Sequence, residues 1–499
     1  MMKTKESRIR YYYEKLRAFL LVFLMVLCII QVGILWSSQS GSFPFSFLGG
    51  SKAGQASLED SKSSLLPSQI VLSTGYDGDH FVISNGTKDY NDLWNGAKEF
   101  IPQVLKTKSK QSQTFSEAKW AKLAANKAFF FEFKTRIPVE IFRWILNMDD
   151  SAGGELTSVY KFLIRPDDPD NGYADTLYIR DGLNIYTYSV ADVPANTLTV
   201  EKFNNISNEQ KKREDDGGSV RNYKMAIEIN DTRYPQDMLA PMISSQVDNY
   251  PDISCKSLAA IDKQSSSFTE YDLIAQELFG KAKNDFYPDE DVNGSLIFKK
   301  SDGFYKIYKN SILEYKYIGS QGTQEKTKLL DAYKNAVSFI ATHKIQSSYM
   351  DDITIYLASI EQKSNSYKFN FDFAIADKSS GSEFPVYLEN YTVPNTGEKL
   401  QNAISIEADG KRVTNCKWLL LKYSIAKGEK KYGWSFVDMF AKVYNTHAEI
   451  KDEELTFKGY GIYYMISNPK QDKYTIAPRF VLFAESGHYA VPMDPVDDK

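Results

Sequence analysis

Histidine is scarce in this chain: four are scattered through 499 residues. None stands in an HExxH spacing, which excludes the common zinc-protease motif and leaves a histidine-based hydrolase without support. No serine sits in a GxSxG elbow, and there is no P-loop or GxGxxG turn. Cysteine is equally thin. Cys28, Cys255 and Cys416 cannot make a disulfide framework; Cys255 and Cys416 either pair or stay free, and free buried thiols are the expectation. A formal net charge of −4 gives no electrostatic footprint for nucleic acid. What is abundant is aromatic: 33 Tyr and 30 Phe in a chain that is 42% hydrophobic and 25% charged. That balance describes a globular protein rich in strands with aromatic faces. At ~100–200 residues per domain the length predicts about three.

Only one hydrophobic run is long. Ala18–Trp36 carries no charge and one amide, Gln31. As a helix it is about 28 Å long, close to the ~30 Å hydrocarbon core. Six bases precede it (Lys3, Lys5, Arg8, Arg10, Lys15 and Arg17), against Glu6 and Glu14. The positive-inside rule then predicts a cytoplasmic tail (1–17), a transmembrane helix (18–36) and an extracytoplasmic remainder. A cleaved signal peptide is the competing reading, but its apolar region is usually shorter. Residues 37–68, rich in Ser and Gly, read as a flexible stalk.

Beyond the stalk, 69–264 reads as a first α+β domain. QIVLSTG and HFVISNGT are strands, with Asn85-Gly86 a hairpin signal. DYNDLWNGAKEFIPQVL places Leu93, Trp94, Ala97, Phe100 and Ile101 on one helical face. SEAKWAKLAAN is a second helix with Ser116 as N-cap. AFFFEF is a strand and PVEIFRWIL a short helix. SVYKFLIR, DTLYIRDG and LNIYTYSV alternate as antiparallel strands turning at Asp181-Gly182. NNISNEQKKREDDGGSVRN reads as a solvated loop, and the stretch after Ser244 as an exit from the domain.

The last part of the chain is written twice. THKIQSSYMDDITIY begins at Thr342 and THAEIKDEELTFKGY at Thr446. Around each, a hairpin, a helix and a set of strands follow in the same order, at an offset of about 100 residues. Two copies make sister α+β domains, 265–394 and 395–499, with PNTGEKLQ at the seam. The repeated histidine then has a structural explanation at a helix C-terminus, where partial positive charge is favourable. DEDVNGSLIFKK (289–300) has Asp289, Asp291, Asn293 and Gly294 at calcium-loop positions but Lys300 where a Glu belongs, so a hairpin turn is expected. Tyr305, Tyr308, Tyr315, Tyr317, Tyr460, Tyr463 and Tyr464 suit either sugar stacking or packing beneath a helix, and packing is expected.

Several stretches together resemble the YycH/YycI family of extracytoplasmic regulators. They are the basic N-terminus, the span ending in Leu-Trp, FFFEFKTRIPVEIFRWIL, and the tandem units carrying EFPVYLEN and ISIEADGKRVTNCKW. The resemblance implies an α+β fold: a transmembrane helix followed by a three-part ectodomain of antiparallel sheets with packed helices, the last two parts alike. It implies a membrane-anchored protein that binds and modulates a sensor histidine kinase of the YycG (WalK) kind controlling cell-wall metabolism in Gram-positive bacteria. A YycI-like sister protein is the second implied partner, and neither catalysis nor a cofactor is implied. Contact through the membrane helix is expected to involve Cys28, Gln31 and Gly33, since helices in lipid associate by close packing and occasional polar groups. The alternatives are an anchored sensor that binds a wall fragment or lipid and, behind it, a wall-active hydrolase.

Overall fold

The computed structural model describes residues 65–106, 110–149, 152–166, 175–189, 198–215, 222–241, 246–257, 287–300, 303–319, 326–346, 353–377, 382–447, 450, 457–468, 471 and 473–495. The chain parts into Met1–Ala56 and Ser57–Lys499. The first unit, with the expected span and Cys28, Gln31 and Gly33, lies outside the described residues. Among the described residues no helix is long and apolar enough to cross a membrane.

A nine-stranded antiparallel sheet comes first along the chain. Its strands are β1 (Gln69–Ser73), β2 (His80–Ile83), β3 (Lys110–Thr114), β4 (Ala128–Pro138), β5 (Ser158–Ile164), β6 (Asp175–Arg180), β7 (Asn184–Ser189), β8 (Asn222–Met225) and β9 (Leu239–Pro241). They run in the order β3-β7-β6-β5-β4-β1-β2-β8-β9. Strand β4 is apolar on both faces because the sheet is covered on both. Phe129, Phe131 and Phe133 join a core with helices α1 (Lys88–Lys106), α3 (Val139–Ile145) and α4 (Val200–Asp215). Phe130, on the alternate face, packs under Trp120, Ala121 and Ala124 of helix α2 (Glu117–Ala125). Asp181 shapes the β6–β7 turn by accepting from the Leu183 and Asn184 amides at 2.9 and 2.7 Å.

Three expectations for this region change. Residues 200–215, expected largely as loop, are helix α4: the Thr199 hydroxyl accepts from the Lys202 amide, and Phe203, Ile206 and Gln210 are buried at helical spacing. Asn85-Gly86 does not turn the β1–β2 hairpin, which closes through 74–79; it leads into α1, where the Thr87 hydroxyl accepts from the Tyr90 amide. Ser116 occupies the N-cap of α2 but its side chain makes no capping bond.

The stretch expected to lead out of the first region is a long strand, β10 (Gln246–Ser257). It is the centre of a three-stranded sheet between β20 (Leu421–Trp434) and β22 (Lys473–Ile476).

The remaining strands form one twelve-stranded sheet. They are β11 (Tyr287–Glu290), β12 (Leu296–Lys300), β13 (Gly303–Ile307), β14 (Ile312–Tyr317), β15 (Ile353–Gln362), β16 (Tyr367–Asp377), β17 (Ser382–Leu388), β18 (Ile404–Ala408), β19 (Val413–Leu419), β21 (Phe457–Ile466), β23 (Pro478–Ala484) and β24 (His488–Pro492). The order is β11-β12-β13-β14-β19-β18-β16-β17-β21-β23-β24, with β15 on β16. The β18–β19 hairpin is thus seated between β14 and β16. One pair, β17 with β21, is parallel; it is only three residues long, Val386–Leu388 against Tyr464–Ile466. Helix α5 (Leu329–Gln346) packs on β16, β18 and β19, and α6 (Phe436–Thr446) on β23 and β24.

Candidate functional site

A charged side chain stands in each of three neighbouring apolar strands. Glu132 on β4 lies opposite Lys161 on β5, and Lys161 opposite Arg180 on β6. Strand alternation puts all three on the face that carries α2, so they form a row across the sheet. Asp237, just before β9, closes over the row. Lys161 Nζ lies 3.0 Å from Glu132 Oε1 and 2.7 Å from Asp237 Oδ2. Trp120 Nε1 donates to the same Asp237 oxygen at 3.0 Å, and Arg180 Nη1 is 3.5 Å from it. The Arg180 guanidinium lies 3.9 Å over the Phe115 ring.

Burial and charge oppose each other here. Burial pushes the Asp237 carboxyl up, but Lys161, Arg180 and the Trp120 N–H outweigh it and hold it below the usual range. For Glu132 burial wins: its carboxyl is raised despite Lys161, with Asp237 adding to the rise. Burial alone would lower Lys161; Asp237 and Glu132 together raise it instead.

This row is one wall of a cleft of about 1310 Å³, whose lining also includes residues of β15, β17 and β21. Two polar contacts tie the walls together. Lys134 on β4 reaches Asp372 on β16 at 3.0 Å, and Asn402 donates to the other Asp372 oxygen at 2.7 Å. Asn85 donates to the Tyr356 hydroxyl, which donates to Glu383, and Thr354 donates to the second Glu383 oxygen at 2.6 Å. The Tyr356 hydroxyl is raised by burial and further by the Glu383 charge.

The residues singled out in the sequence are placed as follows. His343, in the last turn of α5, is buried with Nδ1 2.8 Å from the Phe339 carbonyl; His447 is the C-cap of α6, with Nε2 3.2 Å from the Ala490 carbonyl. Both stand at helix ends. Asp291 shapes the β11–β12 hairpin, accepting from the Asn293 and Ser295 amides at 2.9 and 2.8 Å, and Lys306 lies 2.7 Å from its other oxygen. Cys255 and Cys416 are free and buried, and burial raises both thiols, Cys255 to about 12. Tyr305, Tyr315 and Tyr464 are core residues; Tyr460 and Tyr463 are half-buried and line the cleft. The Glu132–Lys161–Arg180–Asp237 group was not anticipated. Its signal was present: Glu132, Lys161 and Arg180 are charges set beside apolar and aromatic residues in AFFFEF, SVYKFLIR and DTLYIRDG.

Comparison with known proteins bears on the same region. Residues 14–215 match the family model for the YycH protein, N-terminal domain. The crystal structure of YycH from Bacillus subtilis is similar at 12% identity, covering 88% of this chain and 97% of that one with a TM-score of 0.48. An uncharacterized protein from Eubacterium rectale is similar at 11% identity over 51% of this chain and 87% of its own, with a TM-score of 0.26. No curated protein matches. The stretch FFFEFKTRIPVEIFRWIL, which carries β4 and α3, falls inside the family match: from residue 14 to residue 215 the chain matches the YycH N-terminal domain, and the protein is YycH-like.

Proposed function

We propose that this protein is a membrane-anchored extracytoplasmic regulator that binds a sensor histidine kinase of the YycG kind and sets its activity, without catalysis of its own. The YycH match over residues 14–215 carries the reading, since it supports a regulator of that kinase. In this reading Ala18–Trp36 is a single membrane helix with its basic N-terminus in the cytoplasm. Cys28, Gln31 and Gly33 on it contact the kinase, and a YycI-like sister protein is the second partner. The repeated order of hairpin, helix and strands, β13–β14 with α5 and then β18–β19 with α6, supports a duplicated C-terminal half.

The test is capture from membranes followed by mass spectrometry. It compares the full-length protein, a version with 18–36 exchanged for an unrelated span, and the ectodomain alone. A histidine kinase recovered only with the native span is the expected result. A kinase retained by all three moves the contact to the ectodomain, and none at all sinks the reading.

A further inference from the structure

The β21 side of the cleft carries a feature that kinase binding leaves unused. Strand β21 reads FKGYGIYYMI. Gly459 lies opposite Phe483 and Gly461 opposite Val481 on β23. A side chain added at Gly459 would meet nothing within 4 Å, so the sheet surface beside Phe483 is bare. Four half-buried rings share that face. Phe483 stands edge-on to Tyr463 at 5.3 Å and 5.7 Å from Tyr387. Tyr387 lies 4.5 Å from His488, and its hydroxyl is 3.1 Å from His488 Nδ1. Gly459, Gly461 and Tyr463 line the cleft together with the charged row.

That row is polar without being of one sign, because Lys161 sits between Glu132 and Asp237 and Lys134 is matched by Asp372. One donor remains over. Arg180 Nε is buried and meets no hydrogen-bond partner among the described residues. The cleft, about 1310 Å³, exceeds the ~300–1,000 Å³ of most small-molecule pockets.

We propose that this cleft binds a neutral oligosaccharide. A pyranose offers an apolar C–H face to the Tyr463 ring beside Gly459 and Gly461, and hydroxyls that both donate and accept to the ionic wall. A hydroxyl oxygen accepts from the part of the Arg180 guanidinium that lines the cleft. An anionic polymer would need an excess of basic groups, and an acyl chain would be interrupted by Lys134, Lys161 and Arg180. The proposal is independent of kinase binding and stands or falls by its own titration.

The experiment titrates full-length protein in detergent, by calorimetry, with β-1,4-linked cellotetraose and N-acetylglucosamine tetramer, with α-1,4-linked maltotetraose, and with an uncharged blocked tetrapeptide. Saturable binding of a tetrasaccharide is expected, the three sugars separating β-linked from α-linked sources. Gly459→Leu puts a side chain into empty space, so it is expected to weaken binding at least about tenfold with Tm unchanged. Arg180→Met is expected to weaken it as well; should that variant misfold, Gly459→Leu alone decides. Failure of every tetrasaccharide at millimolar concentration, tetrapeptide binding in their place, or sugar binding that Gly459→Leu leaves intact overturns the proposal.

Discussion

Helices α5 and α6 begin as similar sequence and end as different structure. Each carries a Thr-His at its C-terminal end and follows a strand hairpin along the chain. Helix α5 is embedded: Ala332, Tyr333, Ala336, Val337, Ile340 and Ala341 are all buried. Tyr333 makes edge contacts to Trp144 on α3 at 6.0 Å and to Phe369 on β16 at 5.4 Å, joining the two large sheets through one ring. Helix α6 buries only Met439 and Val443, and leaves Val437 74% exposed. The period of the apolar residues made both helices; how deep each sits was decided by what came to cover it.

That difference can be broken from the α5 side. Tyr333→Ala is expected to cost about 3–5 kcal/mol in urea unfolding, since it removes a fully buried aromatic at a junction of three elements. Met439→Ala on α6 is expected to cost about 2 kcal/mol, the low end for a buried Met, because its site borders solvent-facing turns. If the two costs were equal, depth would not be what separates the helices.

Smaller changes sharpen the contrast. Ser435 caps α6, its hydroxyl accepting from the Asp438 amide at 3.0 Å. A shallow helix leans on its cap, so Ser435→Ala is expected to lose about 1 kcal/mol, and Ser435→Gly much less. Val437→Ser, on the open face, is expected to change stability by less than about 0.5 kcal/mol in thermal melts. A larger loss there would mean that the face of α6 is covered in solution.

The comparison also measures what the sequence could disclose. Elements with strong periodicity were legible: α1, α5 and α6, the β6–β7 and β13–β14 hairpins, and the strands from β15 to β17. Helix α4 was hidden because Phe203, Ile206 and Gln210 are diluted by charge, so that its buried stripe is short and partly polar. Strand β10 and its pairing with β20 were hidden because that pairing is non-local: no turn links the two strands, and the register shifts between Pro251 and Ile253. For the same reason the candidate site was legible only as three odd charges. Their convergence needs β4, β5 and β6 side by side and Asp237 brought over from the far end of the sheet.

Strand β10 also sets a timetable. It is made before any of the twelve-stranded sheet, yet its partners β20 and β22 lie near the chain's end. The edges of β10 therefore wait, unzipped, until Leu421–Trp434 and Lys473–Ile476 have been delivered. Contacts of such sequence separation are slow to form, and a waiting strand is exposed to wrong partners. A chain stopped before Leu421 would carry a complete α5 and still lack both neighbours of β10, so this small sheet cannot close until the segments from Leu421 onward have been made.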